Sequence, residues 1–182
     1  QRKPIKLLLY SYGGDGQACF SLLDVIALSK TPVHTINMGV AMSAGLLILL
    51  AGHQRFCLKN STALAHSGSG GASGTFEQTE AQMKDYKRFV ETMRNYIIER
   101  TNIDTRTLNK YKSKEWYLYA EEQVKYHVVD KIIDDIQKVF DDLNRIDILK
   151  DENIISIEAP MSKIGRLFKS NQGYYKWSTI RY

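Results

Sequence analysis

Cysteine is scarce in this chain, which has only Cys19 and Cys57 among its 182 residues. Both lie inside apolar segments, so we interpret them as small buried hydrophobes in a reducing compartment. Their number argues against a disulfide-stapled fold or a cysteine metal site. A charged-then-apolar signal segment is also lacking, and the longest apolar run, residues 45–52 with its lead-in, is too short to span a bilayer. We therefore expect a cytoplasmic protein with no membrane partner.

Acidic residues are absent from the C-terminal tail, where residues 161–182 hold five basic side chains. The whole chain has 25 basic and 20 acidic residues, so the rest of the protein is neutral and the net charge of +5 belongs to the tail. A solvated basic tail is the usual meaning of such a pattern. Charge alone therefore gives no reason to expect a nucleic-acid partner.

Short apolar runs alternate with helical patterns along the chain. We predict strands at residues 5–10, 33–38, 55–58 and 63–65, and helices at residues 19–28 and 42–51. A capping box formed by Thr75 and Gln78 opens a long amphipathic helix that ends near Asn102. A short helix at 121–127 and strands at 128–133 and 153–158 complete the prediction. This alternation is typical of a layered α/β domain with parallel strands.

Two glycine-containing turns follow predicted strands, at the strand ends where parallel α/β domains bind ligands. One turn covers residues 11–14, and in the other, residues 39–45, Ser43 opens a buried helix among small residues. Backbone N–H groups at a helix start are unpaired, which suits the oxyanion of acyl transfer. A serine nucleophile also needs a base, and His66 at a strand end is the best placed of the four histidines. Taken alone, these residues are also consistent with a helix N-cap and a surface histidine.

In order along the chain, these segments resemble the Clp family of self-compartmentalising serine peptidases. The matching segments are residues 9–14 (LYSYGG), 38–50 (MGVAMSAGLLILL), 52–61 (GHQRFCLKNS), Ala65-His66, Gly70-Gly71 with Gly74, 114–122 (KEWYLYAEE) and Val129-Asp130. Together they cover residues 5–135 at the family's spacing. The resemblance implies a crotonase-like (Clp-type) α/β fold with a protruding strand–helix handle.

The resemblance also implies a role for each matching residue. Ser43 would be the nucleophile, His66 its base and Glu115 the acid that orients the base. The N–H groups of Gly14 and Ala44 would form the oxyanion hole. An extended substrate would pair with the backbone of Gly70, Gly71 and Ala72.

As a family member, the chain would be a serine endopeptidase that cuts unfolded polypeptides inside an oligomeric chamber. Its partners would be copies of itself in a ring, assembled through the long helix, together with an ATP-dependent unfoldase. The resemblance implies no cofactor and no metal.

Four features depart from the family pattern. Glu115 replaces an aspartate, Tyr12 replaces the proline of the first glycine turn, and Ser67-Gly68 replaces Gln-Pro after the histidine. The chain also begins about where the family's first strands and helices have ended, so we expect a divergent member without those elements. We predict a peptidase domain over residues 1–138 and a C-terminal extension of unassigned role over residues 139–182.

Two other interpretations remain open at this point. A non-catalytic structural subunit of a Clp-type ring is favoured by the changes at Tyr12 and Glu115, although such subunits usually lose the serine or the histidine. A related fold with another activity, either an acyl-CoA hydratase or a phage-type capsid-maturation peptidase, is the second. Hydratases use carboxylates and oxyanion glycines, so the match at His66 disfavours them.

Overall fold

The computed structural model describes residues 3–135, 154–158, 169–170 and 173–174. Its strands are β1 (Ile5–Ser11), β2 (Val33–Met42), β3 (Gln54–Leu58), β4 (Thr62–Ala65), β5 (Trp116–Tyr119), β6 (Lys131–Ile133), β7 (Ile154–Glu158), β8 (Lys169–Ser170) and β9 (Gly173–Tyr174). Its helices are α1 (Gly16–Leu28), α2 (Ala44–Ala51), α3 (Phe76–Arg100), α4 (Thr105–Lys110) and α5 (Ala120–Lys125). None of these helices is both long enough and apolar enough to cross a membrane.

Seven strands form one mixed sheet. β1 lies between β7 and β2, and β2 in turn pairs with both β3 and β4. β6 pairs with β3, and every one of these pairings is parallel. β5 is antiparallel to β4 at one end of the sheet. The predicted α/β architecture with parallel strands is therefore confirmed.

β2 changes neighbours halfway along its length. Residues 34–37 of β2 pair with β3, whereas residues 40–42 pair with β4. The register with β1 shifts at the same place, because Leu9 faces Asn37 and Ser11 faces Ala41. Two extra residues in β2 bend the strand at this point. The second half of β2 and the neighbouring β4 consequently run side by side, and each leads directly into a predicted site residue.

α2 is the centre of the hydrophobic core. All eight of its residues are buried, because it packs against β2, α1 and α3 at once. Burial of each leucine side chain contributes about 1.5–3 kcal/mol relative to exposure, which accounts for a helix that is apolar on every side. Thr35 of β2 is fully buried and donates a hydrogen bond to the carbonyl of Leu49 at 2.7 Å, which fixes the helix against the sheet.

α3 protrudes from the domain. It has 25 residues, which gives a length of about 37 Å, and only Met93 and Ile97, near its C-terminal end, are buried. The predicted capping box is confirmed, since the Gln78 N–H donates to the Thr75 hydroxyl and the Gln78 side chain accepts from the Thr75 N–H. The N-terminal half of the helix is thus locally well formed yet mostly exposed, and its Gln82 and Tyr86 side chains bond the backbone of Ser73 and Ser67.

Two arginines fasten the other end of α3 to the core. Arg100 donates to the carbonyls of Leu50 and Gly52 at the end of α2, both at 2.9 Å. The buried Arg55 donates to the carbonyl of Arg100 at 2.7 Å and lies 3.7 Å from the Asp130 carboxylate. Both cations satisfy helix-end carbonyls that lack partners of their own.

Most predicted elements are confirmed to within a few residues. The start of the predicted helix at Met42 is wrong, because β2 continues through Met42 and α2 begins at Ala44. The predicted strand 128–133 is shorter than expected, since Val128 and Val129 are buried in the preceding turn. α4 and β5 were not predicted.

The predicted strand at 153–158 is confirmed as β7, which pairs with β1. Five residues of the predicted extension 139–182 thus belong to the main sheet. β8 and β9 form a separate antiparallel pair. Most of the basic tail from residue 161 lies outside the described residues.

Candidate active site

Ser43 forms a sharp turn between β2 and α2. Its backbone has φ 56° and ψ −121°, which a residue with a side chain adopts at a cost of about 1–3 kcal/mol. The turn is held by a hydrogen bond from the Ser43 N–H to the Leu64 carbonyl (3.1 Å) and by one from the Leu46 N–H to the Ser43 carbonyl (3.0 Å). The side chain makes no helix-capping hydrogen bond. A strained strand-to-helix turn that presents a free serine hydroxyl is typical of a nucleophile and not of an N-cap.

The predicted glycine turn packs directly against Ser43. Gly13 has φ +100°, and a Cβ atom placed on it would lie 2.7 Å from the Ser43 Cβ and 3.1 Å from the Ala44 nitrogen. Gly45 in turn lies close to the end of β1, since a Cβ atom placed on it would lie 3.0 Å from the Ser11 carbonyl oxygen. A side chain at position 13 would force the turn to shift, and one at position 45 would be tight. The two turns, which are some thirty residues apart in sequence, are therefore in contact.

The predicted oxyanion donors flank the serine. Ala44 is the first residue of α2, so its N–H points out of the helix, and Gly14 lies in the glycine turn with φ +154°. Within the described part of the chain, neither N–H group donates a hydrogen bond. Tyr12, which replaces the family's proline, is exposed, and the turn is held instead by a hydrogen bond from the Gly13 N–H to the Ser11 hydroxyl (3.2 Å).

His66 follows the last residue of β4, next to the end of β2. The β2–β4 register pairs Met42 with Leu64, so Ser43 and His66 leave adjacent parallel strands at the same edge. The Nε2 atom of His66 is buried, and it has no hydrogen-bond partner among the described residues. No hydrogen bond joins it to Ser43 in this part of the chain. Such bonds are often long in free enzymes and shorten when the substrate binds.

A small pocket borders His66 on the side of α3. Its walls include Ile97, Leu108 and the ring of Trp116, which stacks on Tyr111 at a centroid distance of 4.2 Å. Arg94 and Lys112 also line it. The histidine is therefore half-buried beside a pocket with an aromatic side chain in its wall and does not stand free on the surface.

Glu115 immediately precedes β5. Continuing the β4–β5 register, in which Ala65 faces Trp116, places Glu115 opposite His66. The carboxylate does not contact the imidazole, however, because Glu115 is exposed and accepts a hydrogen bond from the Tyr117 hydroxyl at 2.6 Å. This hydrogen bond raises the pKa of the Tyr117 phenol above its ordinary value. The backbone thus places Glu115 next to His66 in the strand register, and its role as the orienting acid stays a prediction.

The predicted substrate strand is fastened to α3 at its two ends. Gln82 forms two hydrogen bonds with the backbone of Ser73, at 3.1 and 3.0 Å, and the Tyr86 hydroxyl donates to the Ser67 carbonyl at 3.3 Å. Between these points the backbone groups of residues 70–72 make no hydrogen bond with the described residues. Gly70, Gly71 and Ala72 are therefore supported from the helix side and open to an extended peptide.

Both cysteines are free and buried. Cys19 lies behind the serine, where its thiol donates to the Ala44 carbonyl at 3.4 Å. Burial raises the pKa of the Cys19 thiol to about 11, so the thiol stays protonated and is not a competing nucleophile. No group of three or more metal-ligating side chains occurs among the described residues.

Gly13→Ala is expected to lower peptide-hydrolysing kcat by about 10²–10³-fold, the effect of losing one oxyanion donor. The added Cβ would overlap the Ser43 Cβ, so the turn has to shift and carry the Gly14 N–H away. Steady-state kinetics on a fluorogenic peptide, with circular dichroism to confirm folding, measure the effect. A folded variant with kcat within threefold of the parent would show that the glycine turn has no part in the chemistry.

Comparison with known proteins identifies the family of this chain. A family model described as Clp protease matches residues 1–136. The proteolytic subunit 2 of the ATP-dependent Clp protease of Treponema denticola is 35% identical over 132 residues, covering 71% of this chain and 66% of that protein. The corresponding subunit 2 of Treponema pallidum is 31% identical, covering 72% of this chain and 67% of that protein.

A third relative, the Clp proteolytic subunit of Deinococcus radiodurans, is 30% identical, covering 71% of this chain and 65% of its own length. The chain thus spans about two thirds of the length of its curated relatives, and slightly less for two of these three. The family model covers three quarters of the sequence, and the mixed α/β fold is consistent with it. The chain therefore belongs to the Clp protease family.

Proposed function

We propose that this chain is a serine endopeptidase that hydrolyses unfolded polypeptides, with Ser43 as nucleophile and His66 as general base. The observation that carries the proposal is the turn at Ser43. Its hydroxyl makes no capping hydrogen bond to α2, and its neighbours are the Gly13–Gly14 turn and the end of β4. Such strain persists where the surrounding structure enforces it for a purpose, as at a nucleophile.

In the first half of the reaction, the Ser43 Oγ attacks the peptide carbonyl while Nε2 of His66 accepts the hydroxyl proton. Negative charge then develops on the carbonyl oxygen. The N–H groups of Gly14 and Ala44 are free to donate to it, and the N-terminal end of α2 adds its partial positive charge. His66 next gives the proton to the departing amine, which leaves an ester on Ser43.

In the second half, a water molecule replaces the amine. His66 removes a proton from the water as it attacks the ester, and the same two N–H groups stabilise the second oxyanion. The proton returns to the Ser43 oxygen, which releases the acid product and restores the free site. Glu115 would accept the other imidazole N–H throughout, once its carboxylate turns from Tyr117 to His66.

The substrate is proposed to bind as an added strand along Gly70, Gly71 and Ala72. Their free backbone groups offer hydrogen bonds to any extended chain, whatever its sequence. A folded protein has few extended segments with free backbone groups. This mode of binding therefore favours unfolded polypeptides, and an ATP-dependent unfoldase is the proposed source of them, consistent with the ATP-dependent protease named in the relatives.

The proposed partner in assembly is a second copy of the chain, joined through the protruding half of α3. Phe76 and Met83 are 76% and 53% exposed and lie two turns apart on one side of the helix. Two such large apolar side chains on the exposed, mostly polar half of the helix favour contact with another copy. A chamber built this way would enclose the sites and protect folded proteins from cleavage.

Replacing Phe76 and Met83 together with glutamate is expected to lower the mass of the assembly, because the apolar contact between copies would be lost. Mass photometry measures the change. Ala81→Glu is the control for an added charge, since it places one glutamate on an exposed position of the same helix away from Phe76 and Met83. Equal masses for the double variant and the control would contradict assembly through this face.

A non-catalytic ring subunit is the second candidate function, and the observation that favours it is the hydrogen bond of Glu115 to Tyr117 in place of His66. Peptide hydrolysis decides between the two. The endopeptidase proposal predicts that the assembled protein alone cleaves a short fluorogenic peptide and an unfolded polypeptide such as casein. Absence of both activities in an assembled, folded sample would favour the structural subunit.

A further inference from the structure

A buried cluster of two side-chain amides lies at the place where β2 changes partners. Asn37, at the end of the β2–β3 pairing, and Gln123, on α5, are both fully buried although they are 86 residues apart in sequence. The Asn37 Nδ2 donates to the Gln123 Oε1 at 3.3 Å. Buried amides are costly unless their hydrogen bonds are made, so a pair at this depth must serve the surrounding backbone.

The Asn37 side chain joins the bend of β2 to the start of β4. Its Oδ1 accepts from the N–H of Gly39, inside the segment where the register shifts, at 3.1 Å. Its Nδ2 also donates to the carbonyl of Thr62, the first residue of β4, at 3.1 Å. One side chain thus bonds β2 and β4 at the fork, the place between residues 37 and 40 where β2 leaves β3 and begins to pair with β4.

The Gln123 side chain joins β4 to β5. Its Nε2 donates to the carbonyl of Ser61 at 3.2 Å, to the Ser61 hydroxyl at 3.4 Å and to the carbonyl of Leu118 at 3.1 Å. Ser61 directly precedes β4, and Leu118 lies in the middle of β5. The two amides together therefore bond β2, β4 and β5, the three strands next to whose ends Ser43, His66 and Glu115 lie.

We infer that Asn37 and Gln123 are positioning residues, which hold β2, β4 and β5 in the register that brings Ser43 and His66 together. The catalytic part of this inference rests on the proposed function. Thr62, which the cluster bonds, begins β4, and His66 follows the last residue of that strand. The four-residue step between them spans about 13 Å of extended chain. Loosening the start of so short a strand moves its end, and a displacement of about 1 Å at a catalytic centre lowers the rate by about 10²-fold.

The test uses Gln123→Met, which keeps the length and most of the volume of the side chain but removes every hydrogen bond. Thr35→Val is the matched control. Thr35, on β2, is fully buried like Gln123, and its hydroxyl makes a buried hydrogen bond to α2, away from the fork. For Gln123→Met we expect kcat on a fluorogenic peptide to fall about 10–100-fold with KM within about threefold. For Thr35→Val we expect thermal destabilisation with kcat within about threefold of the parent.

Amide hydrogen exchange supplies a readout that does not depend on activity. In Gln123→Met the amides of residues 40–43 and 62–65 should exchange faster relative to those of residues 34–36, and in Thr35→Val they should not. This arm decides the positioning role even if the parent protein hydrolyses nothing. In that case the proposed function is wrong, and the hydrogen-exchange rates alone decide whether the amides hold the strand register.

Asn37→Ser is the second variant, and it decides the question if Gln123→Met does not fold. A serine hydroxyl at position 37 still reaches the nearby Gly39 N–H but not Thr62 or Gln123, so the local turn stays while the bridge to β4 is lost. The inference predicts the same selective exchange and the same fall in kcat. Uniform exchange changes, or a kcat no lower than that of Thr35→Val, would overturn it.

Discussion

Ser43→Ala is expected to abolish peptide hydrolysis, with kcat falling about 10⁵–10⁶-fold, because the only proposed nucleophile is removed. Folding should be retained, since the turn at Ser43 is held by backbone hydrogen bonds to Leu64 and Leu46 that the substitution leaves in place. Steady-state kinetics on a fluorogenic peptide, with circular dichroism and mass photometry on the same sample, test both parts.

Ser21→Ala is the matched control for that experiment. Ser21 is an exposed serine on α1, and among the described residues its hydroxyl bonds the Gln17 carbonyl of its own helix. We expect its kcat to equal that of the parent. Substantial turnover by a folded Ser43→Ala variant would mean that hydrolysis proceeds through another residue, and the assignment of Ser43 would be wrong.

Glu115→Gln is expected to have the second largest effect, a fall in kcat of about 10³–10⁴-fold, the scale seen when the acid of a serine–histidine–acid triad is replaced by its amide. The amide would no longer stabilise the imidazolium that forms when His66 takes the Ser43 proton. Glu121→Gln removes another exposed carboxylate, on α5, and is expected to leave kcat unchanged.

This prediction requires Glu115 to leave its hydrogen bond with Tyr117. Tyr117→Phe removes that bond without touching the carboxylate, so it should not reproduce the loss caused by Glu115→Gln. If Glu115→Gln itself keeps kcat within about tenfold of the parent, Glu115 is not the group that orients His66.

The Ser43 turn could be predicted in part from the sequence. Alternating strand and helix patterns placed a serine among small residues at a strand–helix junction, which is where the structure has it. The left-handed backbone of Ser43 could not be predicted, because it is enforced by contacts with Gly13 and Leu64, which are distant in sequence. The strand was therefore predicted to end four residues early and the helix to begin two residues early.

β5, the strand that begins directly after Glu115, was not predicted, for a different reason. β5 has only four residues, three of them aromatic, and it follows a charged segment that breaks the apolar pattern. The signal that was present is the alternation in Trp116–Tyr119, in which Trp116 and Leu118 are buried and Tyr117 and Tyr119 are exposed. Alternation over four residues is too short to distinguish a strand from a loop without its partner β4.

The amide cluster at the fork lay beyond sequence analysis altogether. Asn37 sits inside an apolar strand and Gln123 in a polar helix, so neither stands out in its own segment. Their hydrogen bonds form only in the folded chain, where α5 lies against the start of β4. The family resemblance likewise pointed to the residues proposed to react but not to the two amides inferred to position them.

The most direct test of the account is the reaction of the assembled protein with a fluorophosphonate, followed by mapping of the modified peptide. A single adduct is expected on Ser43, formed by the folded protein and not formed when the protein is unfolded by heat before the reagent is added. Only the folded turn would bring the hydroxyl to the proposed base and the proposed oxyanion donors. An assembled and folded sample that forms no adduct, or that forms one on another serine such as Ser67, would contradict it.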